Sequence, residues 1–244
     1  MSSSRGVWKT GSGGGGWAPA ARLVGVAVLL AGPAAAQVGH DPEFSPFRDI
    51  RRGTAVFLGV GYFAGDPGNL GVGPTDGPTA TARLEISLGG PTVVTVGTSY
   101  AALERTVLDP GQVADSQRTG PFGTDILMFD VGLQLRLTGQ KSWRRVAPYL
   151  GAAMGLAFEL SGPPDPGAFN FGTKFTLAPG AGVRIYPGQH LSVTADFRWL
   201  FWKLSYPTTY QFPSPDGSVI LPPGASASDW TTHPWTSVGV AWTF

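Results

Sequence analysis

From Thr54 onward the chain is written in a period of two. Eight runs of 10 to 15 residues set an apolar side chain against a small or polar one at nearly every step, at 54–64, 79–88, 92–104, 125–138, 146–160, 174–186, 191–204 and 232–244. In the fourth run Leu127, Phe129, Val131, Leu133, Leu135 and Leu137 alternate with Met128, Asp130, Gly132, Gln134 and Arg136. In the second, Leu84, Ile86 and Leu88 oppose Arg83, Glu85 and Ser87. Successive side chains on a β-strand point to opposite faces, so each run predicts a strand with one apolar and one mixed face. The lengths exceed the about 5 to 6 residues of an ordinary strand and suit a tilted strand crossing about 9 to 11 residues of hydrocarbon.

Alternation does not say which face looks inward. A soluble lipocalin-like barrel would turn the apolar face in. Here the mixed face is crowded with glycine (Gly59, Gly61, Gly97, Gly132, Gly151, Gly155, Gly180, Gly182 and Gly239), where a solvated strand carries Lys, Glu and Thr. Charged residues make up 14% of the chain, against about 25% in soluble domains. Glycine suits a narrow, crowded lumen, so the mixed face is placed inside and the apolar face against lipid.

The amino-terminal region reads as an export signal. Arg5, Lys9 and Arg22 precede a short apolar run at 23–31, followed by Gly32-Pro33 and the small-residue site Ala34-Ala35-Ala36. This predicts a signal peptide at 1–36 with cleavage before Gln37. The run is too short for a helix spanning a bilayer, which takes about 20 apolar residues. With three of the 17 Lys and Arg in the leader and 16 Asp and Glu, the mature chain is slightly acidic, and no nucleic-acid partner is expected. The chain has no Cys, which excludes disulfides, a lipoprotein attachment site and thiolate chemistry.

The links between runs sort by length. Those at 89–91, 138–145 and 187–190 are short, whereas 66–78, 105–124, 161–173 and 205–231 are longer and rich in Pro, Gly and Asp. Outer-membrane barrels pair short periplasmic turns with longer external loops. The expectation is therefore an all-β, eight-stranded, antiparallel, up-and-down transmembrane β-barrel at 54–244, preceded by a periplasmic lead-in at 37–53. In that lead-in Ser45-Pro46 could cap a helical turn; an extended segment is the other reading. Tyr62, Tyr100, Trp199, Trp235, Trp242 and Phe244 lie near strand ends, where aromatic rings are expected at headgroup level.

The last strand closes on an aromatic, and Ser237, Gly239, Trp242 and Phe244 resemble the β-signal read by the bacterial barrel-assembly machinery. Together with Pro148-Tyr149-Leu150-Gly151-Ala152-Ala153-Met154-Gly155 and Asp196-Phe197-Arg198, the whole pattern resembles the small outer-membrane barrels of the OmpA-transmembrane-domain and OmpX type. The resemblance covers nearly all of the mature chain and is one of pattern. It implies the cell outer membrane of a Gram-negative-type bacterium, with outer-membrane lipid and lipopolysaccharide as surroundings, the assembly machinery as a partner during biogenesis, a monomer, and no cofactor. No peptidoglycan-binding domain follows, so cell-wall tethering is not implied.

On the inward face, Arg83, Arg136, Lys174, Arg184 and Arg198 confront Glu85, Asp130, Glu159 and Asp196. Unpaired charges in a confined interior are costly, so this nearly balanced set is expected to pair into a plug. A gated, porin-like ion path is the functional alternative. Some barrels of this size are lipid A-modifying enzymes that use His with Ser and a carboxylate. Of the three His, only His233 lies where a lipid ester could approach, near Ser228, Asp229 and Ser237. Ser237 is four residues away, roughly 13 Å along a strand, so His233 is expected to be a solvated rim histidine. Asp66-Pro67-Gly68-Asn69, Gly71-Val72-Gly73 and Pro213-Ser214-Pro215-Asp216-Gly217 read as turns, without the spacing of a calcium loop or phosphate cradle. The sequence thus points to a non-enzymatic outer-membrane barrel with a structural or surface-exposed role. The alternatives are a transporter or narrow channel for small apolar solutes, which would need a hydrophobic constriction, and a lipid A-modifying enzyme.

Overall fold

Alternation on this scale produces one continuous sheet. The computed structural model describes residues 45–244; the expected leader, its cleavage site and the lead-in up to residue 44 lie outside the described residues. The strands are β1 Phe47–Asp49, β2 Thr54–Phe63, β3 Gly77–Gly89, β4 Thr92–Leu108, β5 Arg118–Arg136, β6 Lys141–Trp143, β7 Val146–Ser161, β8 Thr173–Ile185, β9 Leu191–Ser205 and β10 Ser228–Thr243. All pairings are antiparallel, in the order β1-β6-β7-β5-β4-β3-β2-β10-β9-β8, with a further pairing of β7 with β8.

The expected eight-stranded, evenly closed barrel is corrected by this topology. The sheet has ten strands, because two unforeseen three-residue strands pair with each other, Phe47↔Trp143 to Asp49↔Lys141. One comes from the lead-in, which is extended there, and the other from the link read as a plain turn. The sheet also curls unevenly. The β10–β9 ladder runs unbroken from Ser228↔Ser205 to Trp242↔Leu191, whereas β8–β9 pairs at Leu177↔Phe201 and resumes only at Gly180↔Arg198. Pro179 lies in that gap, and proline has no N–H to offer a ladder.

β4 and β5 extend well past their expected ends, to Leu108 and from Arg118, leaving a link of 109–117. Their outer pairs, such as Leu108↔Arg118, join a β4 end buried beneath the long links to an exposed stretch of β5. Links at 90–91, 137–140 and 186–190 lie at one end of the sheet, and those at 64–76, 109–117, 162–172 and 206–227 at the other.

The two faces differ as the burial shows. Leu58, Val60, Val131, Leu133, Leu150, Met154, Phe175, Val238 and Val240 are exposed, while Arg83, Glu85, Thr95, Ser99, Arg184 and Thr194 are buried. In register, Leu58↔Val240 and Val60↔Val238 face out and Gly59↔Gly239 faces in. A surface with Leu133 at 56% and Val60 at 63% exposure is built for lipid, because water would penalise each such side chain by about 1.5 to 3 kcal/mol.

Candidate functional site: a filled interior

The inward face changes character along its length. Toward the short-link end it is ionic. Arg83 Nε lies 3.0 Å from Glu85 Oε1 and its Nη2 donates to Asp196 Oδ2 at 3.0 Å. Arg184 faces Glu85 with both terminal nitrogens, at 2.7 and 2.8 Å. The Tyr149 hydroxyl donates to Asp196. Two guanidiniums thus meet two carboxylates across β3, β8 and β9, with side chains almost wholly removed from solvent. Arg198 and Asp130 form a looser pair at 3.6 Å.

Glycine makes the room. A Cβ on Gly182 would lie 2.4 Å from the Tyr149 hydroxyl, so the Tyr149–Asp196 contact requires glycine there. Phe57, fully buried, lies across Gly59 and Gly239; a Cβ on either would come within 2.8 Å of its ring. The Arg83 guanidinium stacks over that ring at 4.4 Å. The signal-like Gly239 therefore has a packing reason of its own.

Toward the long-loop end the same face is aromatic. Phe63 stacks on Trp202 at 5.5 Å and on His233 at 5.1 Å, His233 lies tilted against Trp202 at 4.1 Å, and Phe171 meets Trp202 edge-on at 5.0 Å. Val72, Phe169, Phe171, Tyr206, Tyr210 and Leu221 come from the long links and pack onto Leu108, Ile126, Met128, Leu200 and Leu204 of the strands. Polar ties lock the links in place: Arg105 of β4 to Asp165 at 2.8 Å, and, between links, Gln117 to Ser214 at 2.7 Å and the Ala114 N–H to Asp216 at 2.8 Å. The Ala114 amide and then the Ser218 hydroxyl and amide hold the Asp216 carboxyl down to about 2. Burial, and then the nearby Asp165 charge, push the Tyr210 phenol well above its usual range.

Several expected site residues stand elsewhere. Glu159 pairs with Arg105 at 3.7 Å and accepts from Thr124, at the long-loop end and apart from the ionic cluster. Lys174 sits over the Phe171 ring at 5.8 Å. Arg136 is buried near Tyr186 at the short-link end. Arg105, read as the start of a loop, is a buried strand residue. Trp235, expected at headgroup level, is 3% exposed and donates to Thr79 at 3.0 Å inside. Tyr62, Trp199, Trp242 and Phe244 remain exposed.

His233 is corrected too: it is fully buried. Its Nδ1 accepts the Asp66 amide at 3.0 Å, which leaves the proton on Nε2 to donate to Thr231 Oγ1 at 2.8 Å. Nδ1 thus fastens the first long link to β10, and Nε2 is spent on Thr231 of the same strand. Ser228 and Ser237 pair with Ser205 and Asp196 of β9 along the same strand, so neither is drawn toward the ring. Among the described residues no group of His, Asp and Glu is placed to hold a metal ion.

No protein-family model matches the chain, and no curated protein does. Solved structures do. Neisserial surface protein A aligns with a TM-score of 0.51 at 15% identity, over 78% of this chain and 97% of that one. The outer membrane protein OprG from Pseudomonas aeruginosa aligns at 0.48 and 12% identity, over 80% and 98%. A major outer membrane protein from Thermus thermophilus aligns at 0.43 and 14%, over 79% and 98%. At such identity the first likeness speaks for the fold, and the exposed apolar wall speaks for its surroundings. The chain shares the fold of Neisserial surface protein A, an antiparallel sheet whose outer wall is apolar.

Proposed function

We propose that this protein is a non-enzymatic component of the outer membrane with a structural or surface-presenting role, its short-link end toward the periplasm and its long links outward. The observation that carries this reading is the interior: an ionic network below and an aromatic cluster above, both packed between walls whose outer face is apolar. A protein that fills its core and fastens its external links to one another is built to display a fixed surface. In this reading Arg83, Glu85, Asp196 and Arg184, with Asp130 and Arg198, serve as an internal brace, with Arg136 at its margin and Glu159 and Lys174 apart from it at the long-loop end. Ser237, Gly239, Trp242 and Phe244 serve the assembly machinery during insertion, and the outward links meet lipopolysaccharide.

Folded protein in planar bilayers tests it. The expected record is a flat baseline; steady unitary conductance would overturn the filled-interior reading. One observation favours a second reading, transport of a small apolar solute: Phe63, Phe171, Trp202 and Tyr210 make the outer half apolar, as such a path requires. Uptake of an apolar dye by proteoliposomes, lost on Trp202→Arg, would support transport; equal uptake with and without the protein excludes it.

A further inference from the structure

A ribbon borders the short-link end of the sheet. β1 lies on β6, and β6 turns into β7 through two residues only, Arg144 and Arg145, with Trp143 paired to Val146. Their φ angles are +49° and +68°. A two-residue hairpin turn with left-handed backbone at both positions ordinarily takes Asn-Gly, which reaches that region at little cost. Arginine has no such exemption, so both positions carry backbone strain of the kind that clusters at functional sites.

Both arginines are exposed, as are Arg48, Arg51, Arg52 and Lys141 around them, with Asp49 the one acid in the ribbon. Among the described residues none of these six cations enters an ion pair; Arg51 meets His190 Nε2 at 3.1 Å, Arg52 donates to Gln140 and Arg145 to the Pro187 carbonyl at 3.2 Å, all neutral partners that leave the charges uncompensated. Arg144 stands 5.2 Å over the Trp143 ring. Trp143, opposite Val146, shares the outward face with Leu150, and each is about half exposed, so the ring continues the lipid-facing wall to its rim. Behind the ribbon lies a pocket of about 540 Å³ bounded by Arg48, Ile50, Arg51, Ser142, Arg145 and Tyr186. The Tyr186 hydroxyl there is buried and has no hydrogen-bond partner among the described residues.

We propose that the Arg144–Arg145 turn, with Trp143 and the surrounding cations, seats the phosphate of an anionic phospholipid in the inner leaflet. Guanidinium groups match phosphate oxygens with paired hydrogen bonds. An indole at the rim holds the boundary between acyl chain and headgroup. The wall at Leu150 receives the chains. The ribbon is thus an electrostatic anchor at the inner leaflet, and it rests on the reading that the exposed apolar face meets lipid.

The test uses the full mature chain, folded in detergent and offered equal phosphatidylglycerol and phosphatidylethanolamine, with retained lipid read by native mass spectrometry. The wild type is expected to retain phosphatidylglycerol preferentially. Arg144→Asn with Arg145→Gly gives the turn its favoured residues, so its unfolding midpoint in urea is unchanged or higher while phosphatidylglycerol retention falls about tenfold. Arg51→Gln with Arg52→Gln, which leaves the turn untouched, lowers retention by a smaller factor. Equal retention of the two lipids by wild type, or undiminished retention in both variants, overturns the proposal. So does displacement by millimolar inorganic phosphate, which would mark a site for soluble anions. A wild type that stays folded and monodisperse without detergent would instead sink the lipid-facing reading beneath it.

Discussion

The two halves of the interior are filled by opposite chemistry. At the short-link end β3, β5, β8 and β9 each contribute one or two charged residues, and the cluster Arg83–Glu85–Arg184–Asp196 is nearly self-contained. At the long-loop end strand residues such as Phe63 and Trp202 supply only part of the filling, and Val72, Phe171, Tyr210 and Leu221 descend from the links to complete it. The ionic half is fixed by strand register alone. The aromatic half exists only when the external links are folded onto it. The difference separates a brace that sets the position of the strands from a lid that sets the position of the loops.

The largest effect expected is from Glu85→Ala combined with Trp202→Ala. Each alone should cost about 3 to 5 kcal/mol, the first by leaving two guanidiniums unpaired and the second by opening a cavity. If the halves are independent, the pair adds within about 0.5 kcal/mol in urea unfolding followed by heat-modifiable gel migration. A larger departure would show that lid and brace are one cooperative unit. Next, Leu133→Arg places a charge on the outer face and should cost about 2 to 4 kcal/mol, whereas Thr119→Arg in the projecting part of β5 should be silent. Equal folded yields would reverse the assignment of faces for both halves.

A smaller effect is expected from His233→Phe, which keeps a ring against Trp202 but removes the acceptor of the part-buried bond from the Asp66 amide, at about 0.5 to 1.5 kcal/mol. Limited proteolysis should find the first long link cut sooner while the ionic half stays protected; uniform protection would deny the lid its dependence on this ring. The smallest concerns Asp216, whose carboxyl is held down to about 2 by the Ala114 amide. A lowered folded value stabilises above the unfolded range near 4 and is lost as pH falls through about 2. Between pH 4 and 2 the 206–227 link should become more susceptible to pepsin, and Asp216→Asn should show that susceptibility already at pH 4. No change across that window would mean that the Ala114 contact does not hold the lid.

The long strands were legible because a period of two survives over ten or more residues. Faces followed from composition, since glycine crowds only one of them. β1 and β6 were not legible: three residues carry no period, and an Arg-Arg pair carries none of the usual turn chemistry. The aromatic cluster was missed for a different reason. His233 and Trp235 share parity with Ser237 and Gly239, as Phe63 does with Gly59 and Gly61, so the signal for their inward placement was present. It competes with the preference of strand-end aromatics for the outer face, which Tyr62 and Trp242 follow. What no pattern in the strands could carry is the contribution of Val72, Phe169 and Tyr210, because loop residues acquire a depth only when the links fold back.

The pairing of β10 with β2 joins the first long strand of the chain to the last, down to the Phe244 N–H that donates to Thr54 at 2.9 Å. Until β10 arrives, β2 offers an open row of amides and carbonyls to any neighbour, which is the condition under which strands aggregate. Contacts so distant in sequence are also the slowest to form. The wall therefore completes itself by its most delayed encounter, and during that interval the chain needs an escort.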